Sequence, residues 1–315
     1  MFEVVPLGVG SALPTRERHL SATAVVREGI IYLFDCGEGT QFQLIHAGLK
    51  RSRIRALFIT HLHGDHFYGL MGLLSTLSML KRTGDLTLVG PSGIKRCVQV
   101  MQELSAITWN FTLHFVELQE GFDRRVVYEE SGFYVEARPL KHRIFTVGYR
   151  FQEKPRAGKF NIERARALGI DTPEHIQALI GGRSIRTADG QWVAPEGIIG
   201  PERPGGAFAY CTDTRPCENS IWLAREADLL YHEATFTEAM KDRAVETGHS
   251  TAKEAAEVAL QANVRKLLIG HFSARYREVT PLVEEARRVF PCTEAAEELK
   301  RYVVKPTQET EKTSC

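Results

Sequence analysis

The chain has 315 residues, of which 43% are hydrophobic and 25% charged, and its formal net charge is +1. This is the composition of an ordinary soluble protein with a large buried core, and it excludes the small cysteine-rich class. The near-zero net charge neither supports nor excludes a nucleic-acid partner, because a local basic face does not show in the sum.

The cysteines and the hydrophobic segments bear on the compartment in which the protein works. Six cysteines are scattered along the chain without a Cys-x-x-Cys pair, and we interpret them as buried or incidental thiols. No segment approaches the roughly 20 apolar residues of a membrane span, and the N-terminus lacks a basic region followed by a long apolar stretch. The sequence therefore predicts a cytoplasmic protein without a membrane partner.

Strand and helix patterns alternate along the chain, which predicts the α/β class. In the first half the predicted strands are Phe2–Val9, Ala22–Arg27, Ile30–Asp35, Ala56–Thr60, Leu86–Val89, Leu113–Leu118, Gly132–Pro139 and Thr146–Phe151. The helices predicted among them are Thr40–Ala47, His61–Leu80 and Ile94–Leu104. The pattern resumes later with strands Ala207–Cys211, Leu229–His232 and Lys266–Ile269 and with helices Thr251–Ala262 and Val279–Val289.

One stretch, from about residue 152 to 206, interrupts this alternation. It is rich in glycine, proline and charged residues and is predicted to be an excursion from the core. Because the strand and helix signals continue on both sides of it, we expect one domain over residues 1–304 with an inserted arm rather than two small domains. Residues 305–315 lack apolar anchors and are expected to form a disordered tail.

A cluster of metal-ligating residue types follows the fourth predicted strand: His61, His63, Asp65 and His66. Spacing of two along an extended segment points the first two histidines the same way, and Gly64 allows a turn that redirects the other two residues. Such an arrangement suits two metal ions. Imidazole and carboxylate without thiolate indicate a catalytic zinc site, with Mn²⁺ or Fe²⁺ as alternatives. For a lone His-x-His pair, ordinary surface histidines are the better explanation.

Four residues cannot fill two metal sites, so distant donors are required. Three further candidates stand at the ends of predicted strands: His142, Asp213 and His271. Each taken alone is more often a structural residue than a ligand. Together with the first four residues, they supply enough ligands for two metal ions.

These residues resemble the metal-binding pattern of the metallo-β-lactamase superfamily, whose fold is an αββα sandwich with its metals on one edge. Several segments narrow the resemblance to the RNase Z family of tRNA 3′-processing endoribonucleases. They are Leu7–Thr15, Phe34–Gln41, Gly148–Tyr149, His232–Thr235, Gly248–Thr251 and Gly270–Tyr276. The similarity covers essentially the whole chain to about residue 304.

The resemblance implies two zinc ions per subunit and a role for each residue of the site. One zinc would be held by His61, His63 and His142, the other by Asp65, His66 and His271, and Asp213 would bridge them. Asp65 would also orient or deprotonate the attacking water. His249 would protonate the leaving oxygen, and Glu233 would orient His249.

The implied activity is cleavage of the 3′ trailer from precursor tRNA by a metal-activated hydroxide, leaving a tRNA 3′-hydroxyl. The resemblance also implies a homodimer in which one subunit's arm holds the tRNA that the other subunit cuts. An alternative is a hydrolase of small phosphodiesters, sulfate esters or lactones with the same fold. A non-catalytic RNA-binding subunit is disfavoured because all seven candidate ligands are present.

The arm and two loops supply candidate substrate contacts. Between Arg150 and Arg166 there are six basic residues against two acidic ones, which fits either a solvated surface or a phosphate-binding one. Resemblance favours the second, with Lys159 as a contact, although residues 171–182 depart from the family's usual Gly-Pro segment. Near the active site, Arg18 and Arg275 are the candidate contacts, and His19 stands where the family usually has asparagine.

Overall fold

A computed structural model describes residues 1–306 of the chain. In chain order, the first strands are β1 (Phe2–Gly8), β2 (Gly10–Ser11), β3 (Ala22–Arg27), β4 (Ile30–Phe34), β5 (Ile54–Phe58), β6 (Leu86–Pro91), β7 (Leu113–Leu118), β8 (Arg125–Glu130), β9 (Phe133–Leu140) and β10 (Thr146–Glu153). They are followed by β11 (Ile185–Arg186), β12 (Trp192–Val193), β13 (Ala207–Cys211), β14 (Leu229–Glu233), β15 (Leu267–Gly270), β16 (Phe272–Ser273), β17 (Thr293–Ala295) and β18 (Tyr302–Val304).

The helices lie between these strands. They are α1 (Thr40–His46), α2 (Gly64–Phe67), α3 (Leu70–Met79), α4 (Ile94–Leu104), α5 (Ile162–Ala167), α6 (Pro173–Ile180), α7 (Glu218–Ala224), α8 (Lys241–Thr247), α9 (Ala252–Gln261) and α10 (Thr280–Arg287). Short 3-10 helices cover Arg51–Arg53, Pro195–Gly197 and Glu238–Met240. Within residues 1–306, none of the helices has the length and apolar character that a membrane crossing requires.

Two seven-stranded sheets form the body of the protein. Their strand orders are β18-β1-β3-β4-β5-β6-β7 and β17-β15-β14-β13-β10-β9-β8. Strands β4 to β7 run parallel in the first sheet, and β13, β14, β15 and β17 run parallel in the second. The carboxyl ends of parallel strands share one edge of each sheet, which is where ligands of open α/β sheets usually bind.

The two sheets pack face to face because their strands carry apolar side chains on both faces. On β4, Tyr32 and Phe34 belong to the core between the sheets, whereas Leu33 points to the outer layer that contains α1, α3 and α4. The Phe34 ring lies 4.8 Å from Phe58 in its own sheet and 6.1 Å from Phe208 in the other. Helices α7, α9 and α10 cover the outside of the second sheet. The predicted αββα sandwich is confirmed.

One predicted helix is wrong in its extent. Residues 61–80 form two helices, and His63 is still extended with φ −73° and ψ 145°. Gly69 stands between the two helices and lies against the Gly37 carbonyl, where a Cβ would come within 2.1 Å of the oxygen. The sequence prediction also missed α7, α8 and β8, which are only six or seven residues long and partly exposed.

Residues 154–206 leave the second sheet after β10 and return to it at β13. This arm contains α5, α6 and the β11–β12 hairpin, and the two chain segments at its base pair between Arg156 and Arg203. It has an apolar cluster of its own, formed by Ala165, Ile170, Leu179, Ile185, Val193 and Ile198. Apart from Lys305 and Pro306, the predicted tail lies outside the described residues.

Candidate metal centre

The seven predicted ligands lie together at the edge where parallel strands of both sheets end. His61, His63, Asp65 and His66 follow β5, Asp213 follows β13 and His271 follows β15. His142 lies in the loop between β9 and β10. The backbones of Asp213 and His271 have φ values of 40° and 56°, a left-handed conformation that costs energy for non-glycine residues and is typical of functional sites.

One group of ligand atoms comes from His61, His63, His142 and Asp213, and these atoms all lie within 4.8 Å of one another. The Nε2 atom of His61 is 3.0 Å from Nδ1 of His63. The Oδ2 atom of Asp213 is 3.5 Å from Nε2 of His61 and 3.7 Å from Nε2 of His142.

A second group comes from Asp65, His66 and His271, whose ligand atoms also lie within 4.8 Å of one another. The other carboxylate oxygen of Asp213, Oδ1, is 3.2 Å from Nε2 of His66 and 3.0 Å from Nε2 of His271. Asp213 is buried and places one oxygen at each group. The two groups therefore share a single carboxylate.

The donor set fits divalent metal ions. His142 donates from Nδ1 to the Gly248 carbonyl at 2.9 Å, which leaves its Nε2 buried and without a hydrogen-bond partner among the described residues. An orphaned buried nitrogen is costly unless it serves as a ligand. Imidazole and carboxylate without thiolate are the donors of catalytic divalent metal sites. This cluster on this fold is a divalent metal-binding centre.

A carboxylate behind the centre holds it in place. Asp35 accepts hydrogen bonds from the Thr60 backbone at 2.8 Å, from Nδ1 of His66 at 2.8 Å and from the Tyr210 hydroxyl at 3.2 Å. Hydrogen bonds of this kind fix the ring orientation of a metal ligand. No role for Asp35 was predicted from the sequence, although an acidic residue directly after a buried strand was a usable signal.

Glu233 and His249 form a buried pair beside the second group. Nδ1 of His249 lies 2.9 Å from Oε1 of Glu233. The other oxygen, Oε2, accepts from the Thr235 hydroxyl at 2.6 Å, and that hydroxyl is 3.0 Å from Nδ1 of His271. Thr235, which the sequence analysis did not single out, therefore links the pair to a predicted metal ligand.

Burial and charge set opposite protonation states within the site. Burial lowers the pKa of His61 to about 4, which keeps its ring neutral and able to coordinate. Burial opposes the charge on His249 as well, yet the Glu233 carboxylate raises the pKa of His249 to about 9. Burial would raise the pKa of Glu233, but the facing His249 lowers it to about 2. The pair is therefore ionised at neutral pH.

A cavity of about 390 Å³ opens onto the centre. Its walls include His63, Asp65, Asp213 and His249, and an exposed Tyr68 stands at its mouth. Asp65 accepts a hydrogen bond from the Ala12 backbone at 2.8 Å. A phosphodiester entering the cavity would meet both predicted metal groups and the His249 ring.

Relatives of known name match the chain over nearly its full length. A Ribonuclease Z of Salinibacter ruber is 50% identical over 308 residues, spanning 98% of this chain and 96% of its own length. The chain belongs to the Ribonuclease Z family. Other members of the family are 40% identical in Gloeothece citriformis and 39% identical in Methanothermobacter thermautotrophicus, over 96% and 97% of this chain and the same shares of their own lengths. Membership in this family, predicted from the motifs, is confirmed.

Solved structures agree with this family assignment. The human tRNase Z short form superposes with a TM-score of 0.72 at 29% identity, covering 96% of this chain and 99% of its own. The metallo-β-lactamase fold protein YhfI of Bacillus subtilis has a TM-score of 0.66 at 16% identity, covering 96% of this chain and 98% of its own, and this likeness concerns the fold alone.

Two family profiles match parts of the chain. The profile described as anti-Pycsar protein Apyc1 matches residues 2–144, and the profile described as β-lactamase superfamily domain matches residues 193–272.

The three predicted substrate contacts of this Ribonuclease Z family member lie in different settings. Lys159 is exposed on the arm. Arg275 is exposed and its guanidinium lies 5.2 Å from the ring of Phe236, which packs 6.1 Å from the His249 ring. Arg18 is only 8% exposed and donates to the Tyr276 carbonyl. Arg18 is therefore a buried residue, and its contact with the substrate stays a prediction.

Proposed function

We propose that this protein is an endoribonuclease that removes the 3′ trailer from precursor tRNA and leaves a 3′-hydroxyl on the tRNA. The observation that carries the proposal is the 50% identity with a Ribonuclease Z over 98% of the chain. The buried ligand cluster and the ionised Glu233–His249 pair give the fold the groups that phosphodiester hydrolysis needs.

The two ligand groups support a site for two zinc ions. His61, His63 and His142 would hold one ion, Asp65, His66 and His271 the other, and Asp213 would bind both. Bound in this way, the ions would lower the pKa of a water and neutralise charge on the phosphoryl oxygens. Manganese or iron would suit the same donors.

Asp65 has a second role in this proposal. Its side chain lines the cavity, and burial would raise its pKa, but His271 and His66 hold that pKa well below the ordinary value. The carboxylate is therefore ionised throughout the working pH range. It can orient the attacking water and accept a proton from it.

His249 is the proposed proton donor. The leaving group is the 3′-oxygen of the tRNA, which is strongly basic and needs a proton as its bond to phosphorus breaks. Glu233 stabilises the charged ring and binds its Nδ1, so that the proton on Nε2 is the one available for transfer. Glu233 acts on the reaction only through His249.

The arm is the proposed tRNA-holding region. Lys159 and Arg164 line one small surface cleft, and the exposed Trp192 stands beside a second cleft that Arg164 also lines. Cationic and aromatic side chains on an exposed surface are the groups that contact phosphates and bases. The arm would bind the body of the tRNA while the metal centre cuts its end.

The surface of α1 and α3 supports a homodimer. The two helices lie side by side, joined by the Thr76 hydroxyl, which donates to the Gln41 side chain at 2.8 Å. They leave Phe42, Ile45 and Met79 exposed to 59%, 50% and 75%. An exposed apolar surface of this kind is typical of an interaction site. A dimer would let the arm of one subunit serve the centre of the other.

A cleavage assay on precursor tRNA tests the activity. The zinc-loaded protein is incubated with a tRNA carrying a 3′ trailer, and the ends of the products are analysed. We expect a tRNA with a 3′-hydroxyl and a trailer with a 5′-phosphate. If the trailer stays intact while bis(p-nitrophenyl) phosphate is hydrolysed, the protein is instead a hydrolase of small phosphodiesters.

A mixing experiment tests the dimer and the arm together. One chain carries Asp65→Ala with an intact arm, and the other lacks the arm but keeps its metal centre. Neither should cut precursor tRNA alone, whereas the mixture should regain activity if the arm serves the partner's centre. Light scattering on each chain gives the oligomeric state, and elemental analysis gives the metal and its number per chain.

The cysteines bear on the compartment. Among the described residues, Cys36, Cys97, Cys211 and Cys217 are free thiols, and Cys36 and Cys211 are buried. A cytoplasmic location, where precursor tRNA is made in cells without a nucleus, fits both this and the substrate. Fractionation of cells that express the protein tests it.

A further inference from the structure

Three loops that carry site residues meet on one side of the metal centre. The first contains His142, the second Asp213 and the third His249. Each loop lies beyond the end of a strand or helix, and the Ser250 hydroxyl joins the third loop to the second by donating to the Thr214 carbonyl at 2.5 Å. Glu233 binds the His249 ring through Nδ1, and other contacts fix the backbone that carries the ring.

The second loop is bonded to the first through its backbone. Arg215 donates from its backbone N–H to the Lys141 carbonyl at 2.8 Å, and Lys141 donates back to the Thr214 hydroxyl at 3.1 Å. Lys141 directly precedes His142. The loop with Asp213 is therefore tied to the loop with His142.

The side chain of Arg215 reaches the third loop. Its Nη1 donates to the His249 carbonyl at 2.6 Å and to Oε2 of Glu254 at 2.7 Å. Its Nη2 donates to the other oxygen of Glu254, so the ion pair is bidentate. The Arg215 side chain is 16% exposed and that of Glu254 is 6% exposed.

Glu254 in turn anchors the end of the third loop. It accepts a hydrogen bond from the Thr251 backbone at 3.0 Å, and the Thr251 hydroxyl accepts one from the Glu254 backbone, which closes a capping box at the start of α9. Arg215 is therefore fixed by helix α9, which begins three residues after His249. A planar guanidinium with two bonds to one carboxylate has little freedom to move.

We propose that Arg215 and Glu254 are positioning residues that hold the His249 backbone so that its ring reaches the leaving oxygen of the substrate. The pair does not touch the substrate. Its contribution comes from preorganisation, since a displacement of about 1 Å in a catalytic group can cost about 100-fold in rate. This inference rests on the proposed role of His249 as the proton donor.

Substrates that differ in their leaving group distinguish misplacement of the proton donor His249 from general damage to the site. Aryl phosphodiesters whose phenols span a range of pKa values are compared with precursor tRNA as substrates. A phenol that is a good leaving group needs no proton, whereas the tRNA 3′-oxygen does. Arg215→Ala should lower kcat on precursor tRNA by about 100-fold, near the lower end of what a general acid contributes. Its KM on precursor tRNA should stay unchanged.

On the aryl substrates, Arg215→Ala should slow the poorest leaving groups most and the best ones little. The dependence of rate on leaving-group pKa should therefore become steeper than in the parent. Glu254→Gln should give a smaller effect of the same kind, because it keeps an acceptor for Arg215 but loses the charge. Arg215→Lys should rescue little, because a lysine cannot make the two parallel bonds.

Arg138 offers a matched control elsewhere on the second sheet. Its side chain is 13% exposed and pairs with the 9% exposed Glu136 at 3.0 Å. Arg138→Ala removes a comparable ion pair, and it should leave the leaving-group dependence as in the parent. Thermal unfolding and metal content are measured for every variant.

The results distinguish failure of the positioning role of Arg215 from failure of the proposed function. If Arg215→Ala slows all aryl substrates equally, or if its leaving-group dependence matches the parent's, the positioning role is wrong. A parent that hydrolyses the aryl series but leaves precursor tRNA intact contradicts the proposed function, and the slope of the aryl series still tests Arg215.

Discussion

The metal centre and the arm differ in how their functional side chains are held. In the centre, His61, His66 and Asp213 are at most 2% exposed, and hydrogen bonds from behind fix the rings. In the arm, Lys159 is exposed and Trp192 is 68% exposed, on a scaffold with a small apolar cluster of its own. The centre is therefore preorganised by the whole sandwich, and the arm by local contacts.

Under the proposed function, the metal centre would hydrolyse the phosphodiester and the arm would bind the tRNA. Displacing Asp213 would disturb both groups, because one of its oxygens lies beside His61 and His142 and the other beside His66 and His271. The arm is joined to the second sheet by the two segments at its base. The segment that departs from the family pattern, residues 171–182, lies in the arm. We therefore expect sequence variation in this segment to change the affinity for tRNA more readily than the rate of hydrolysis at the metal centre.

The largest effect is expected from the shared ligand. Asp213→Ala should lower the rate on precursor tRNA and on bis(p-nitrophenyl) phosphate alike, by about 10³-fold or more, because several kcal/mol of metal-dependent stabilisation are lost. Metal content measured by elemental analysis should fall in parallel. His114→Ala is the control, since that histidine pairs with Asp85 on the surface. Full activity in the Asp213 variant would remove this residue from the ligand set.

The next effect concerns the proton donor. His249→Ala should reduce cleavage of precursor tRNA by about 10²–10⁴-fold, the range for a general acid. It should change hydrolysis of bis(p-nitrophenyl) phosphate far less, because p-nitrophenolate leaves without a proton. Steady-state rates on both substrates measure the split. An equal loss on the two would show that His249 has a different role.

The pH dependence of the same step has a definite sign. The pKa of His249 is raised to about 9, so the protonated donor is present below that pH and is lost as pH rises through it. Glu233→Gln removes the charge that raises this pKa and should move the alkaline limb of kcat to lower pH. Thr235 donates to Glu233, so Thr235→Val leaves the carboxylate charge less neutralised and should move the alkaline limb slightly the other way, to higher pH. An unchanged alkaline limb in both variants would contradict the pairing.

Removing the arm should separate the two regions. Replacing residues 157–202 by a short Gly-Ser linker keeps the pairing of Arg156 with Arg203 at the base. We expect tRNA binding to weaken by about 100-fold, or roughly 2.7 kcal/mol, while bis(p-nitrophenyl) phosphate hydrolysis stays as in the parent. Binding measured by fluorescence anisotropy and rates on both substrates check this. A loss of phosphodiesterase activity would mean that the arm supports the centre.

The smallest effect is expected from a single arm residue. Lys159→Ala should weaken tRNA binding a few-fold and reduce the slope of log affinity against log salt by about 1, as for one lost phosphate contact. Lys50→Ala, an exposed lysine on the sandwich, is the control. Equal salt slopes for the two variants would place Lys159 outside the tRNA contact.

The predicted ligands were within reach of the sequence because their spacing is local. His61, His63, Asp65 and His66 lie within six residues, and this grouping after a strand is uncommon without a metal. The distant donors were reachable because each follows a predicted strand. The supporting contacts of Thr60 and Thr235 were not, because a hydrogen bond across 25 or 36 residues leaves no periodic signal, and for Asp35 only its position after a strand was a usable signal.

The composition and the periodicity determined the α/β class, the position of the arm and the residue types at the metal centre. Only the tertiary structure decided which atoms meet: that Asp213 faces both groups, that Arg18 is buried, and that Arg215 bonds to the loop of His249. The reason is physical. Residue type and local spacing set which chemistry a side chain offers, whereas the packing of the two sheets sets its neighbours.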